Sequence, residues 1–452
     1  MRIGVDVRLI EELFQRGMGR YTLQQLHAVI LATPQHHYVL FCLKKVPPSL
    51  RAFEKYPNVT LAKQFVRYNL HTFTKAPRFL DTLTQMLDKV AWEYEIDVFH
   101  IPIMMNFIQP IPTQMTACAV VATVYDLIPL IFAEHFPQPL VAQALYDFGI
   151  ERYKTADYLI AISQATKHDT VRLLGYPSER IGVAYPAVDK SFMRLDDATI
   201  QARLTALWQK LGIPAPAHYI FTVTDHFYTK NLDTLLVAYA QLPADLRLTT
   251  PLIVTFDIYP KDRVRFMARA KELGVDGQVI FTGRIPEDDL VALYNGALFT
   301  VYPSRYEGFG YPIAEAMACG SPVITTTAAS MPEVAGEGAL LVNPEDAEAM
   351  TDAMHRLYHD ADLRQSYRQG GYAQASQFNL DALAKATHDA YQQALTYHPA
   401  PRSSAPPQLN RNNHLWLIVS FYTYGIKRRL YDKVYLPTRR WLSKRIKGVS
   451  HK

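Results

Sequence analysis

Leu298-Phe-Thr-Val-Tyr302 runs directly into Pro303-Ser-Arg-Tyr-Glu-Gly-Phe-Gly-Tyr-Pro-Ile-Ala-Glu-Ala-Met-Ala-Cys-Gly320. A short apolar strand is followed by a loop with two glycines and then by a helix, with Pro312 inside its start and Gly320 past its end, the expected punctuation of a short helix. The N-terminus of such a helix presents unpaired N–H groups and the positive end of the helix dipole, and Gly308 and Gly310 let an anion come close to the backbone. The loop reads as a phosphate cradle. Two carboxylates flank it, Glu307 before the turn and Glu315 in the helix. They would repel a phosphate unless they hold something else, and their acceptor oxygens suit the vicinal hydroxyls of a sugar or ribose. A ligand that joins a nucleotide diphosphate to a sugar meets both requirements.

Outward from this stretch the same alternation repeats. Short apolar runs at Ile3 to Val5, Tyr38 to Leu43, Val98 to Ile101, Ala119 to Val124 and Tyr158 to Ile162 are separated by segments with helical spacing, such as Tyr21, Leu23, Leu26, Val29 and Ile30. From Tyr219 the theme returns at Ile220 to Val223, Leu252 to Phe256, Val279 to Thr282, Val323 to Thr325 and Ala339 to Val342. Strands alternating with helices predict parallel sheets covered on both faces. The fold class is α/β, with two doubly wound, Rossmann-like domains, and ligands are expected beyond the carboxyl ends of their strands. The breaker-rich connector Gly212-Ile-Pro-Ala-Pro-Ala217 lies near the join. The expected division is 1–190 for the first domain, 191–376 for the second, 377–398 for a C-terminal helix, and 399–452 for a linker and basic tail.

With 49% hydrophobic and 20% charged residues among 452, the chain can fill sizeable cores, which excludes a disordered protein. Cys42, Cys118 and Cys319 lie far apart, which argues against a disulfide framework or a zinc site. Of 47 basic and 42 acidic residues, 11 and one (Asp432) lie beyond residue 410, so that segment carries +10 and the rest −5. A nucleic-acid-binding body is therefore not expected. The first residues, Met1-Arg-Ile-Gly-Val-Asp6, resemble a strand rather than a secretory signal, and no apolar run reaches the ~18 residues needed to span a bilayer. A cytoplasmic location is expected, with peripheral contact to anionic membrane through residues 414–447, where Trp416, Tyr422, Tyr424 and Trp441 stand beside Lys427-Arg-Arg429 and further cations.

Glu307-Gly-Phe-Gly-Tyr-Pro-Ile-Ala-Glu315 resembles the E-x7-E motif of retaining glycosyltransferases of the GT-B fold, family 4, also called glycosyl transferases group 1. Tyr302 to Pro344, including Met331-Pro-Glu-Val-Ala-Gly336, is similar to that family throughout. Gly17-Met-Gly-Arg-Tyr21, Val98-Phe-His100, Val124-Tyr-Asp-Leu-Ile-Pro129, Lys230-Asn231 and Thr282-Gly-Arg284 resemble its other segments in order. The likeness extends to about residue 395 and excludes the tail. It implies that Glu315 binds the ribose hydroxyls and Glu307 those of the transferred sugar. Lys230 and the backbone of Phe309, Gly310 and Tyr311 would take the diphosphate, and Gly283-Arg284 the base. Gly17 and Gly19 would let the first domain approach, and Asp126 would stand at the reacting centre. It further implies transfer from a nucleotide diphosphate sugar, such as GDP-mannose or a UDP-sugar, to a saccharide or lipid-linked saccharide acceptor, without a cofactor or metal. Tyr125, Thr224 and Thr229 depart from the family's usual His, Gly and Arg, so phosphate binding would lean on Arg20, Arg284 or Arg305.

Plainer readings stand beside these. Lys230, Arg284 and Arg305 could be solvated charges, Asp126 a turn former, His100 a packed histidine, and Glu333 a residue that favours a helix start through its charge. Only Glu307 and Glu315 argue for function without the resemblance. A catalytically inactive sugar-nucleotide binder and a dinucleotide-dependent oxidoreductase also remain open, although Gly17-Met-Gly19 lacks the third glycine of the dinucleotide fingerprint.

Overall fold

The structure, a computed structural model, describes residues 1–10, 17–43, 46–65, 78–103, 115–136, 140–255 and 260–398. The expected linker and tail, residues 399–452, lie outside the described residues, as does the end of the apolar run at Phe256.

Thirteen strands form two sheets among these residues. The first holds β1 (Arg2–Asp6), β2 (His37–Leu43), β3 (Val59–Phe65), β4 (Val98–Ile101), β5 (Ala119–Val124), β6 (Tyr158–Ala161) and β7 (Ile181–Val183), in the order β3-β2-β1-β4-β5-β6-β7. The second holds β8 (Ile220–Val223), β9 (Leu252–Thr255), β10 (Val279–Gly283), β11 (Phe299–Val301), β12 (Val323–Thr326) and β13 (Ala339–Val342), in the order β10-β9-β8-β11-β12-β13. Every pairing is parallel. The strands are continuous apolar runs because both faces are covered: β4, β5, β6, β9 and β12 are buried along their whole lengths. The edge strands β3 and β7 carry weaker signals. Lys63 is exposed in β3, and β7 has only three residues.

Strand order reverses at β1, which pairs with both β2 and β4, and at β8, which pairs with both β9 and β11. The crevice at such a switch point is where doubly wound sheets bind ligands. The described residues that furnish the site below follow β1, β5, β8 and β11.

Five helices matter below: α1 (Gly17–Ala32), α2 (Gln164–Leu174), α3 (Tyr311–Ala318), α4 (Ala361–Ala375) and α5 (Leu380–Tyr397). Between the sheets the chain crosses twice, and the crossings meet where Val188 N–H donates to the Phe378 carbonyl at 2.8 Å. On the outward passage, helix Asp197–Leu211 is capped by Asp196, whose side chain accepts from Thr199 N–H. On the return, Asn379 caps α5 by accepting from Ala382 N–H. The buried positions of α5, Leu383, Ala384, Thr387, Ala390, Tyr391 and Ala394, fall on one helical face. That face lies on the first sheet and α1. Tyr391 Oη is 2.9 Å from His100 Nδ1, and Gln25 donates to Thr387 at 3.1 Å.

Candidate active site

After β11 the loop is pinned by hydroxyls from the β12 side. Thr325 donates to the Tyr302 carbonyl (2.9 Å), Thr326 to that of Ser304 (2.7 Å), and Ser330 to those of Glu307 (3.0 Å) and Phe309 (2.8 Å). Gly310 takes φ 97° immediately before α3, a left-handed conformation that a side chain would strain. The loop thereby delivers its chain into the helix start, with Tyr311 and Pro312 as the first helical residues.

Glu307 and Lys230 come together here. Lys230 Nζ donates to Glu307 Oε1 at 2.8 Å and to the Tyr302 hydroxyl at 3.0 Å, and Glu307 Oε1 also accepts from Tyr302 (2.9 Å) and Ser304 (2.8 Å). The lysine is set in place by Asn231, which stands in the left-handed region at φ 58° and donates to the carbonyls of Pro303 (2.9 Å) and Pro344 (2.7 Å). Burial works against the charge of Lys230, but Glu307, Tyr302 and Asp225 outweigh it and lift the ammonium well above the ordinary lysine range. Two more carboxyls share this field. Asp126 is pushed up to about 6, mainly by burial, with Glu307 adding to the shift while the Ile128 N–H bond and Lys230 oppose it. Burial likewise raises Asp225, against Lys230 and the Phe227 N–H bond. Sequence reasoning missed Asp225, because an acid two residues beyond a strand carries no spacing signal of its own.

Glu315 is buried one turn into α3, and the first sheet's helix reaches it. Arg20 Nη1 donates to Glu315 Oε1 at 2.7 Å, and the Tyr294 hydroxyl donates to Oε2 at 3.3 Å. Burial raises the Glu315 carboxyl while Arg20 pulls the other way. The guanidinium lies 5.1 Å from the Phe192 ring and 5.3 Å from the Tyr311 ring. A Cβ on Gly17 would stand 3.8 Å from the Tyr311 ring. Gly17 is the first described residue of α1 and Tyr311 opens α3, so these two helices approach each other across the cleft. Gly19 is buried within α1.

Other expected residues acquire different partners. At Gly308 a Cβ would lie 2.1 Å from the Tyr125 carbonyl oxygen, so absence of a side chain there serves the close approach of the first domain. Arg305 is committed within the protein. Its Nε and Nη2 fork onto Glu345 (2.6 and 3.2 Å), and its Nη1 donates to the Tyr228 carbonyl (3.1 Å). Arg284 is exposed after Gly283, three strand positions from β11, roughly 14 Å across the sheet. His100 is the packed histidine of the plainer reading. Its ring bonds Tyr391 and Thr123, and burial lowers it to about 3. Glu333 does more than favour its own helix. It accepts from Gln164 N–H (2.8 Å) and Ala165 N–H (2.9 Å) at the start of α2, and from the Tyr185 hydroxyl (2.8 Å), a cap supplied across the cleft. Tyr125, the departure from His, is within 2.8 Å of the Thr22 hydroxyl and donates to the Met18 carbonyl at 3.2 Å. Thr224 and Thr229 are buried. Among the described residues, no group of three or more His, Cys, Asp or Glu side chains is placed to hold a metal ion, and no helix is long and apolar enough to cross a membrane.

Comparisons with known proteins agree with this geometry. The family model described as Glycosyltransferase Family 4 matches residues 16–192, and that described as Glycosyl transferases group 1 matches residues 205–374. O-antigen chain mannosyltransferase B of Escherichia coli is 28% identical over 384 residues, 83% of this chain and 95% of that one. The serotype-specific mannosyltransferase WbdA of the same organism is 29% identical over 270 residues, 60% of this chain but 33% of WbdA, so the match spans about a third of that protein. In fold, the chain is similar to Anabaena HepE in complex with UDP (TM-score 0.62, 18% identity, covering 86% of this chain and 99% of that one). It is also similar to WaaG, a glycosyltransferase involved in lipopolysaccharide biosynthesis (TM-score 0.57, 17% identity, 86% and 98%). One family model lies over the wall that carries Arg20 and Asp126 and the other over the wall that carries Glu307 and Glu315, and the chain belongs to the glycosyl transferases of group 1.

Proposed function

We propose that the protein transfers a glycosyl group, with retention of configuration, from a nucleotide diphosphate sugar to the hydroxyl of a saccharide, a lipid-linked one in the building of a polysaccharide. The observation that carries this reading is the Lys230–Glu307 pair at the opening of α3, with Asp126 facing it from the other wall. The mannosyltransferase relatives make mannose the first donor sugar to test, and the HepE complexes with UDP and UDP-glucose keep a uridine donor in the panel.

In this mechanism the bond between the anomeric carbon and the diphosphate oxygen breaks as the acceptor oxygen bonds to the same face of the sugar. The acceptor proton passes to the departing phosphate oxygen, so no separate base is required. The negative charge that grows on the diphosphate is met by the N–H groups of Phe309, Gly310 and Tyr311, the dipole of α3, and the Lys230 ammonium. Glu307 accepts from the sugar hydroxyls and Glu315 from the ribose, and Asp126 orients the acceptor hydroxyl. Gly17 and Gly19 admit the first domain to the diphosphate, and Gly283-Arg284 meets the base. Residues 1–190 form the acceptor side and residues 191–376 the donor side, tied by the helix in 377–398.

The test is incubation with GDP-mannose, UDP-glucose and a panel of saccharide acceptors, with the product's anomeric configuration read by NMR. Retained configuration, unaffected by excess EDTA, is the expected result. Inversion, or activity lost to EDTA and restored by Mg²⁺, would overturn the mechanism. We further propose that residues 414–447 hold the enzyme on the inner face of the cell membrane. Co-sedimentation of the full chain with anionic vesicles, absent from a chain ending near Pro399, is expected, and equal binding by the two would remove that role.

A further inference from the structure

We propose that Arg20 is a donor-binding residue supplied across the cleft, and that it and the donor's ribose are alternative partners of Glu315. The inference rests on the reading of the site given above. Three arginines stand as replacements for the one missing at Thr229. Arg305 has its fork filled by Glu345 and its remaining terminal nitrogen turned to a backbone carbonyl. Arg284 lies three strand positions away from the cradle. Arg20 is beside it, with its guanidinium against the ring of Tyr311, the first residue of α3.

Both oxygens of Glu315 already accept, Oε1 from Arg20 and Oε2 from Tyr294. The oxygens keep further lone pairs, but the Glu315 side chain is only 6% exposed, closed by Tyr294 from its own domain and by Arg20 from the cleft. Two vicinal ribose hydroxyls that approach from the cleft therefore compete with Arg20 for it. The displaced guanidinium then needs an anion, because a partly buried charge without a partner is costly. Its needs are visible in advance: Arg20 Nη2 is buried with no hydrogen-bond partner, and so is the Tyr311 hydroxyl beside it. From Glu315 back to Tyr311 is about 6 Å along the helix, within the swing of an arginine side chain. At that end lies the cradle for the diphosphate, whose oxygens match the guanidinium fork. Phe192 and Tyr311 flank the guanidinium and guide the exchange.

It follows that a nucleoside alone must break the Arg20–Glu315 pair without compensating the arginine, whereas a nucleoside diphosphate brings the replacement partner. The experiment is calorimetric titration of the full chain and of Arg20→Ala with guanosine, GDP, uridine and UDP. For the base that the protein accepts, Arg20→Ala is expected to weaken diphosphate binding at least tenfold while nucleoside binding holds or tightens. The preference for the diphosphate thus falls at least tenfold, and Arg20→Lys restores part of it. An unchanged preference in Arg20→Ala, or equal weakening of both ligands, would overturn the proposal. Should Arg20→Ala not fold, Arg20→Gln takes its place with the same expected result. If the wild-type chain transfers sugar while the Arg20 variants keep their preference, only this inference fails. If the wild type binds neither GDP nor UDP, the reading of the site fails and the inference with it.

Discussion

On the second sheet, Tyr302, Ser304, Glu307 and Glu315 reach the site from one continuous segment, the loop after β11 and the helix it opens. On the first sheet, Arg20, Tyr125, Asp126 and Thr166 come from separate segments that only the folded sheet brings to one edge. The first wall is local chemistry, in which glycine, proline and two acids at fixed spacing set both the turn and its ligands. The second is tertiary. Its groups act through contacts across the cleft, such as Arg20 on Glu315 and the Thr166 hydroxyl, which donates to the carbonyls of Tyr125 (3.2 Å) and Gly308 (3.3 Å). A site that depends on both walls should be most sensitive where they touch most closely.

Gly308→Ala should therefore have the largest effect. The new Cβ would meet the Tyr125 carbonyl at 2.1 Å, a backbone atom that cannot rotate aside, so the two walls must separate. Turnover is expected to fall about a hundredfold, equivalent to roughly 2.7 kcal/mol in the barrier. Small-angle scattering should show a more open particle. Near-normal turnover would mean that the walls need not meet at Gly308 during catalysis.

Next come the groups of the wall that the second sheet supplies. Glu307→Gln and Lys230→Ala should each lower turnover at least about tenfold, a loss of ~1.4 kcal/mol of transition-state stabilisation. The two side chains are in contact, so the double variant should lose less than the product of the single losses. Wild-type rates in either single variant would take that residue out of the chemistry.

The legibility of the molecule follows the same division. The strands β8 to β13 and the five inner strands of the first sheet were readable because burial on both faces leaves apolar runs with little interruption. The edge strands β3 and β7, one with an exposed lysine and one only three residues long, were not. Glu307 and Glu315 were readable because one short segment contains their whole geometry. Arg20 could be named as a cation after a strand, but its pairing with Glu315 depends on how α1 lies against α3, which no local pattern encodes. Glu333 shows the same limit. Its sequence context points to its own helix start, while its partners are the N–H groups that open α2 on the other wall. Gly308 is subtler, since glycine next to a phosphate cradle already has a sufficient local reason and hides the interdomain one.

Glu333→Gln should have a smaller effect than the site variants. Glutamine keeps the shape but has one acceptor oxygen in place of a charged carboxylate spanning two N–H groups and a hydroxyl. Hydrogen bonds to a charged group contribute about 1.5–3 kcal/mol, and glutamine retains part of this. A melting temperature lower by about 2–4 °C is expected, with the KM for the donor raised more than kcat is lowered. An unaltered melting temperature would show that α2 is capped equally well by other groups.

The smallest effect should come from Asp126→Asn, read as stability against pH. The Asp126 carboxyl titrates at about 6 in the folded protein, raised chiefly by burial, and near 3.9 in an unfolded chain. Between those values the folded state holds the proton more tightly, so stability falls as pH rises through this window, and the penalty is complete above about 6. Asparagine has no charge to bury. The variant should melt about 1–2 °C higher than wild type at pH 7.5, with the gain shrinking as pH falls through 6 and vanishing near 4, even as turnover drops because the acceptor is oriented less well. A gain that is the same at pH 4 and pH 7.5 would show that ionisation of Asp126 is not its source. A loss at both would mean that the Ile128 N–H bond to this side chain matters more to the fold than the cost of burying its charge.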